Sequence, residues 1–249
     1  MSDSPKCCGT PQNPMQQVRD LYTALAQQPE RDFGWGKGKT NARDLGYDPA
    51  WLETLPESVW ESAAAVGNPF SVGSLTPGEV IVDVGCGAGA DLCIAARLVG
   101  ESGRAIGLDL TPAMVAKARD NARRAGVNNV TVHEADIAAL PLPDACADVV
   151  ISNGAINLAA DKARVFQEIY RILRPGGRLQ FADMVRRASL ETEAVGCGSW
   201  ADCVAGTVAP EDYLALLQTA GFRNVVLVAW TGYHTGANTE GATFRAAKP

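Results

Sequence analysis

The stretch Val80-Ile81-Val82-Asp83-Val84-Gly85-Cys86-Gly87-Ala88-Gly89-Ala90 constrains this chain more than any other. An apolar strand runs straight into three closely set glycines, and a helix-forming segment follows at once. Such a turn brings backbone N–H groups to a ligand with no side chain in the way. It also commits the chain to an α/β architecture, because a strand that is apolar on both faces needs helices on both faces.

Around this turn, short apolar runs alternate with helical patterns. Strands are predicted at Val80–Val84, Gly103–Leu108, Val130–His133, Asp148–Ser152 and Arg178–Phe181, and helices at Leu92–Val99, Pro112–Ala125 and Asp161–Leu173. Right-handed crossovers make this a doubly wound, mostly parallel sheet. Thr111 is expected to cap the helix that Pro112 opens, and Arg174-Pro175-Gly176-Gly177 to stop a helix before the fifth strand. After Asp183 a helical insert over Leu190–Val204 and a helix over Pro210–Ala220 lead to two last strands, near Asn224–Trp230 and Ala242–Ala247. These two are expected to pair as an antiparallel edge, which completes seven strands.

Ahead of the first strand, Val18, Leu21, Tyr22 and Leu25 recur at helical spacing and predict an amphipathic helix over Met15–Gln28. The next segment, FGWGKGKTNARDLGYD, is rich in glycine and lysine and is predicted to be an irregular loop that orders over a ligand. Its Lys37, Lys39 and Arg43 either face that ligand or form a solvated surface. Asp48-Pro49 is an N-cap and first-turn signal for a helix through Trp51, Leu52, Leu55, Val59 and Trp60. The organisation expected is a cap and lid over residues 1–66, a core over 67–185, and an insert with the last strands over 186–249.

With 249 residues the chain can bury the core of one such domain with caps. A net charge of −6 and a pI near 5.0 would repel a phosphate backbone, so nucleic-acid substrates are not expected. The start MSDSPKCCGTPQNP lacks a signal-peptide pattern and no run of about 18 apolar residues occurs, so a cytoplasmic protein without a membrane partner is expected. The seven cysteines, Cys7, Cys8, Cys86, Cys93, Cys146, Cys197 and Cys203, are an odd number and are expected as thiols. Without a CxxC pair, and with only His133 and His234, a structural zinc has no ligand set.

The spacing Gly85-x-Gly87-x-x-Ala90 also fits a dinucleotide fingerprint, but two features favour S-adenosylmethionine (SAM). Asp83 stands just before the first glycine, where a cationic aminoacyl sulfonium can use it and a pyrophosphate cannot. Gly89 then completes GxGxG. Asp109 ends the next strand, in the position from which a carboxylate accepts both ribose hydroxyls. Asp136 is placed for the adenine amine, and Ile137 for an apolar edge of the ring. The alternative for Asp83 and Asp109 is a pair of solvated strand-end acids; their joint placement argues for a ligand.

At this point VIVDVGCGAGADL, GLDLTPAM, EADIAALPLPDACADVVISN and RILRPGGRL resemble the successive motifs of class I SAM-dependent methyltransferases, over about Pro77 to Asp183. The resemblance implies the Rossmann-like methyltransferase fold. It implies that Asp83, Gly85 and Gly87, with Cys86 between them, hold the methionine moiety, that Asp109 and Leu110 hold ribose and adenine, that Asp136 and Ile137 hold the base, and that Asn153 closes the site. Within that class, ISNGAINLAADKARVFQEIYRILRPGGRLQFADMV, WADCVAG, ATFRA and the Gly67-Asn68-Pro69 turn are similar to the arsenite methyltransferases over most of the chain.

Methyl transfer is an in-line displacement at a sulfonium carbon, so the protein must align the acceptor and exclude water. A hydroxyl or amine acceptor needs a general base, whereas a thiolate or the lone pair of trivalent arsenic does not. His133, read as part of a buried strand, and His234, in a late loop, are poor bases. Trp35 and Tyr47 are expected to shield the methyl group. The family resemblance implies thiolates for arsenic(III), a thiophilic ion, with Cys203 as one and Cys7 or Cys8 as another. Trp200 shares a helical face with Cys203. The family's middle thiol follows the Ser-Asn of strand four, where this chain has Gly154, and Cys197 is poorly spaced to replace it. Cys203 is otherwise a small buried hydrophobe, and Cys86, Cys93 and Cys146 are read as packing residues. Three functions stay open: methylation of arsenic(III), with glutathione or thioredoxin as a thiol reductant; methylation of a small thiol or hydrogen sulfide; and SAM binding without catalysis.

Overall fold

The computed structural model describes residues 13–187 and 206–249. Seven strands form one sheet: β1 (Val80–Val84), β2 (Arg104–Asp109), β3 (Val130–Glu134), β4 (Ala147–Asn153), β5 (Leu173–Arg186), β6 (Arg223–Trp230) and β7 (Thr239–Ala247). Their spatial order is β3-β2-β1-β4-β5-β7-β6. The pairs β2·β3, β1·β2, β1·β4 and β4·β5 are parallel. The order reverses at β1, and the loops after β1 and β4 open a crevice there, the place where such sheets bind ligands.

The last two strands pair antiparallel at the edge of the sheet, as expected, but in reversed spatial order. β7 lies between β5 and β6 and is antiparallel to both. Its burial explains this, since Ala242, Phe244 and Ala246 are fully enclosed and belong inside the sheet. β5 also starts earlier than the sequence predicts. Leu173 pairs with Ala147 and Arg178 with Val149, so Arg174-Pro175-Gly176-Gly177 is a bulge within the strand's span.

Strand alternation divides the core. Val82 and Val84 face α7 (Lys162–Ile172) and α8 (Pro210–Thr219), where Phe166, Phe181, Tyr213 and Phe244 cluster with ring centroids 4.8–6.0 Å apart. Ile81 lies on the opposite face, covered by α5 (Ala90–Val99), with α6 (Pro112–Arg124) beside it over β2 and β3. The expected helix over Leu190–Val204 lies outside the described residues.

Among the described residues a cap of four α-helices precedes β1: α1 (Pro14–Gln27), α2 (Gly38–Asp44), α3 (Pro49–Thr54) and α4 (Glu57–Trp60). The segment predicted to be irregular therefore contains a helix. α2 forms because Ala42 and Asn41 bury against the cap core, and Lys39 pairs with Glu57 at 2.7 Å instead of facing a ligand. The helix predicted from Asp48 to Trp60 is two helices broken at Leu55-Pro56, since proline at 56 has no N–H to continue the first. Asp48 does cap α3, accepting from Ala50 N at 2.8 Å. Thr111 occupies the N-cap position of α6 without a side-chain cap bond. No helix among the described residues is long and apolar enough to cross a membrane.

Candidate functional site

The crevice at the β1/β4 reversal is a cleft of about 1080 Å³ that opens to solvent. Every residue the sequence assigned to the cofactor lines it: Asp83, Gly85, Cys86, Gly87, Asp109, Leu110, Asp136, Ile137 and Asn153. The cap supplies the other wall, with Met15, Val18 and Tyr22 of α1, Tyr47, and Ala63 to Ala65. Gly154, Ala155 and Leu158, which follow β4, complete it.

The glycine turn is held by the neighbouring strand. Gly85 N and Cys86 N both donate to Leu108 O, at 2.8 and 2.9 Å. Gly85 sits at φ +77°, and a Cβ there would lie 2.2 Å from Ala155 Cβ, so only glycine lets the two loops meet. At Gly87 a Cβ would meet no protein atom within 4 Å and would project into free space. Asp109 ties the turn to α6: Oδ2 accepts from Gly87 N and Oδ1 from Thr111 N, both at 2.8 Å. Burial still holds its carboxyl above the usual range, against these two donors.

Asp83 is 2% exposed, and its Oδ2 has no hydrogen-bond partner. Burial, then the charges of Asp91 and Asp109, push its carboxyl well above the ordinary value. An orphaned carboxylate oxygen at the bottom of a cleft calls for a cationic donor. Asp136 is exposed at the rim and accepts from Ala138 N at 2.8 Å, which leaves Ile137 turned inward and buried.

A network that the sequence does not reveal joins the cap to the sheet. Tyr47 Oη donates to Asp91 Oδ1 at 2.7 Å. Asn153 Nδ2 lies 3.0 Å from Asp91 Oδ2, 2.9 Å from Tyr47 Oη and 2.9 Å from Gly67 O, while its Oδ1 accepts from Val66 N at 3.0 Å. Trp51, Trp60 and Phe70 meet the Tyr47 ring edge-on at 6.1–6.4 Å and fix its plane. Burial and the charge of Asp91 raise the Tyr47 pKa well above 10, so the phenol keeps its proton. Asp91 itself is raised by burial, partly offset by the bonds from Asn153 and Tyr47. The only signal for Asp91 in the sequence is an acid in the first turn of the helix after the glycines, a placement that the helix dipole accounts for equally well.

Other expectations divide. Trp35 does not line the cleft, whereas Tyr47 does. His133 is exposed on β3, correcting its reading as buried, and His234 is also exposed; neither reaches the cleft. Cys86 lines it, but burial, followed by the charges of Asp109 and Asp83, lifts its thiol well above the ordinary range and keeps it protonated. Cys93 is enclosed between α5 and the cap, its thiol pushed up to about 12 by burial. Cys7, Cys8, Cys197, Trp200 and Cys203 lie outside the described residues. Among the described residues no cluster of metal-ligating side chains occurs.

The residues present fit SAM on structural grounds. A buried acid lacks a donor, the glycine turn leaves space over bare backbone, and further carboxylates stand at the tips of β2 and β3. Comparison with known proteins agrees. A family model described as a methyltransferase domain matches residues 75–221. The arsenite methyltransferase of Halobacterium salinarum is 35% identical over 230 residues, covering 86% of this chain and 59% of that protein. That of Aquipseudomonas alcaligenes is 35% identical over 215 residues, covering 78% and 61%. The chain thus spans about three fifths of these curated relatives. The crystal structure of CrArsM, an arsenic(III) S-adenosylmethionine methyltransferase from Chlamydomonas reinhardtii, superposes with a TM-score of 0.59 at 27% identity, covering 85% of this chain and 73% of that one. The matched model, the β1/β4 crevice and the glycine turn together place this chain in the class I SAM-dependent methyltransferase family, in its arsenite methyltransferase-like branch.

Proposed function

We propose that this protein transfers the methyl group of SAM to trivalent arsenic held by cysteine thiolates. The observation that carries this reading is the make-up of the cleft. Among the described residues its lining has no histidine and no lysine, and its central phenol, Tyr47, is kept protonated and donates to Asp91. Such a site suits an acceptor that attacks through a lone pair without losing a proton to the protein. Val18, Ala64, Ala65, Gly154, Ala155 and Leu158 line the cleft with apolar and mostly small residues, which suits a compact, soft acceptor.

SAM, when bound, supplies an activated methyl carbon with a neutral thioether as leaving group. Asp83 holds the methionine end, Asp109 the ribose, and Ile137 with Asp136 the base. Tyr47 and Asn153 hold the cap against the strand tips and exclude water from the transfer. The arsenic lone pair forms the bond to carbon while the carbon–sulfur pair stays on sulfur. Arsenic thereby gives up two electrons, and two thiols return them and leave as a disulfide, which is the role of a reductant such as glutathione or thioredoxin. Cys203, with Cys7 or Cys8, supplies the thiolates. Cys8 stands seven residues before Met15, which lines the cleft, and an extended chain of that length reaches about 24 Å.

A second reading, methylation of a small thiol or hydrogen sulfide, is favoured by one observation. Gly154 is left-handed, at φ +68°, and a Cβ there would press on Val66, so strand four offers no ready place for a third thiolate. Purified protein with radiolabelled SAM and arsenite, sulfide, methanethiol or glutathione separates the readings. Labelled methylarsenic that disappears in Cys203→Ser supports the first. No arsenite turnover at any thiol concentration, with sulfide methylated, establishes the second. Turnover of none of the acceptors leaves a SAM-binding protein without catalysis.

A further inference from the structure

We propose that Asp91 is the counter-charge of the donor's sulfonium, so that this residue makes the site prefer SAM over the spent thioether, S-adenosylhomocysteine. The proposal rests on SAM as the cofactor. Three carboxylates stand close about the glycine turn, namely Asp83, Asp91 and Asp109. Asp109 spends one lone pair of each oxygen on the backbone of the turn and of α6, at the tip of β2. That leaves Asp83 and Asp91 for the methionine end of the donor, which carries two cations of different chemistry. The ammonium has three N–H donors, and the sulfonium has none.

The two acids differ in the same way. Asp83 has a buried oxygen with no donor, so it calls for a hydrogen bond as well as a counter-charge. Asp91 has a donor on each oxygen, Tyr47 Oη at 2.7 Å and Asn153 Nδ2 at 3.0 Å. Each oxygen thus already has a protein donor that fixes its direction, while among the described residues no ion pair balances the charge. A cation without hydrogens to donate asks for such a charge and nothing more. Asp83 therefore matches the ammonium and Asp91 the sulfonium. Tyr47 and Asn153, which also line the cleft, hold the Asp91 carboxylate by these two bonds and keep it from turning to pair with the ammonium.

Transfer converts the sulfonium to a neutral sulfide, so the attraction to Asp91 ends with the reaction while that of Asp83 for the ammonium persists. Two unit charges a few ångströms apart in a partly buried site correspond to roughly a tenfold to hundredfold difference in affinity. The test is titration calorimetry of SAM and S-adenosylhomocysteine, with wild type, Asp91→Asn and Tyr47→Phe, and with Asp91→Ser alongside in case the amide disturbs folding. Asp91→Asn and Asp91→Ser are expected to weaken SAM about tenfold or more and S-adenosylhomocysteine less than about twofold. Tyr47→Phe keeps the charge and should leave the ratio of the two affinities near that of wild type. If both ligands weaken by the same factor, or SAM is unaffected, Asp91 is structural and the proposal is overturned. Absence of heat from wild type with either ligand removes the cofactor reading itself, and the proposal with it.

Discussion

Gly154→Cys would restore at the end of β4 the thiol that the family resemblance leads one to expect, and the structure sets its cost. Gly154 has φ +68°, and its N–H donates to Ala182 O at 2.9 Å, which ties the peptide to β5 and prevents it from relaxing to another basin. A residue with an L side chain pays roughly 1–2 kcal/mol for that conformation. The new Cβ would lie 3.3 Å from Val66 Cγ1 and 3.5 Å from Cγ2, an overlap that a shift of a few tenths of an ångström absorbs. Crowding at this level adds up to about 1 kcal/mol. The total is about 2 kcal/mol, and a chain of this size loses roughly 2–4 °C in Tm per kcal/mol, so Tm should fall by about 4–8 °C. Differential scanning calorimetry on wild type, Gly154→Cys, Val66→Ala and the double variant separates the parts. In the Val66→Ala background the contact is relieved and the conformational part, about 1–2 kcal/mol, should remain. A Gly154→Cys protein that melts within about 1 °C of wild type would show that the left-handed backbone is not imposed by the fold, and the reasoning would fail.

Three further outcomes follow from the buried acids and the phenol. Asp83 has its pKa raised in the folded protein, so its contribution favours folding at low pH and is lost as pH rises above the unfolded value near 4. Ligand-free Asp83→Asn should therefore melt higher than wild type at pH 8, with a gap that closes toward pH 4, and should bind SAM at least about tenfold more weakly; a gap that widens on acidification would reverse the sign. Asp183 is fully enclosed beside Tyr213 and the N–H of Asn157, and burial pushes it up to about 7. Its stabilising contribution is lost between about pH 4 and 7, so urea midpoints of Asp183→Asn should change less over that window than those of wild type, and equal slopes would refute this. Tyr47→Phe removes a donor to a carboxylate and should cost about 1.5–3 kcal/mol of stability and lower kcat. Because the phenol stays protonated, the pH–rate profile from 6 to 9 should keep its shape, and loss of an ionisation in that range would make Tyr47 a base.

The glycine-turn side of the cleft was legible because its determinants are local. Asp83, Gly85 and Gly87 are fixed within a few residues by one strand and its turn, and Asp109 and Asp136 stand at the tips of the next two strands by the same repeat. Alternation along β1 puts Asp83 on the α5 face, and no long-range information is needed for that. The same logic failed where composition stood in for packing. Glycines and lysines over 33–47 read as a loop, yet burial of Asn41 and Ala42 makes a helix of 38–44. His133 read as buried from its apolar neighbours, but the outer face of β3 carries it to solvent.

By itself, then, the sequence determined the doubly wound sheet, the glycine turn and the acids around it, since strand and helix periods and turn chemistry act over a handful of residues. Only the tertiary structure decided that Tyr47 would meet Asp91, 44 residues away, and Asn153, 106 residues away, that β7 would lie inside the sheet, and that Gly154 would be left-handed beneath Val66. These outcomes depend on which surfaces are buried against each other, and a side chain's partner across such a distance is chosen by the packing of whole elements, to which its own neighbours in the chain contribute almost nothing.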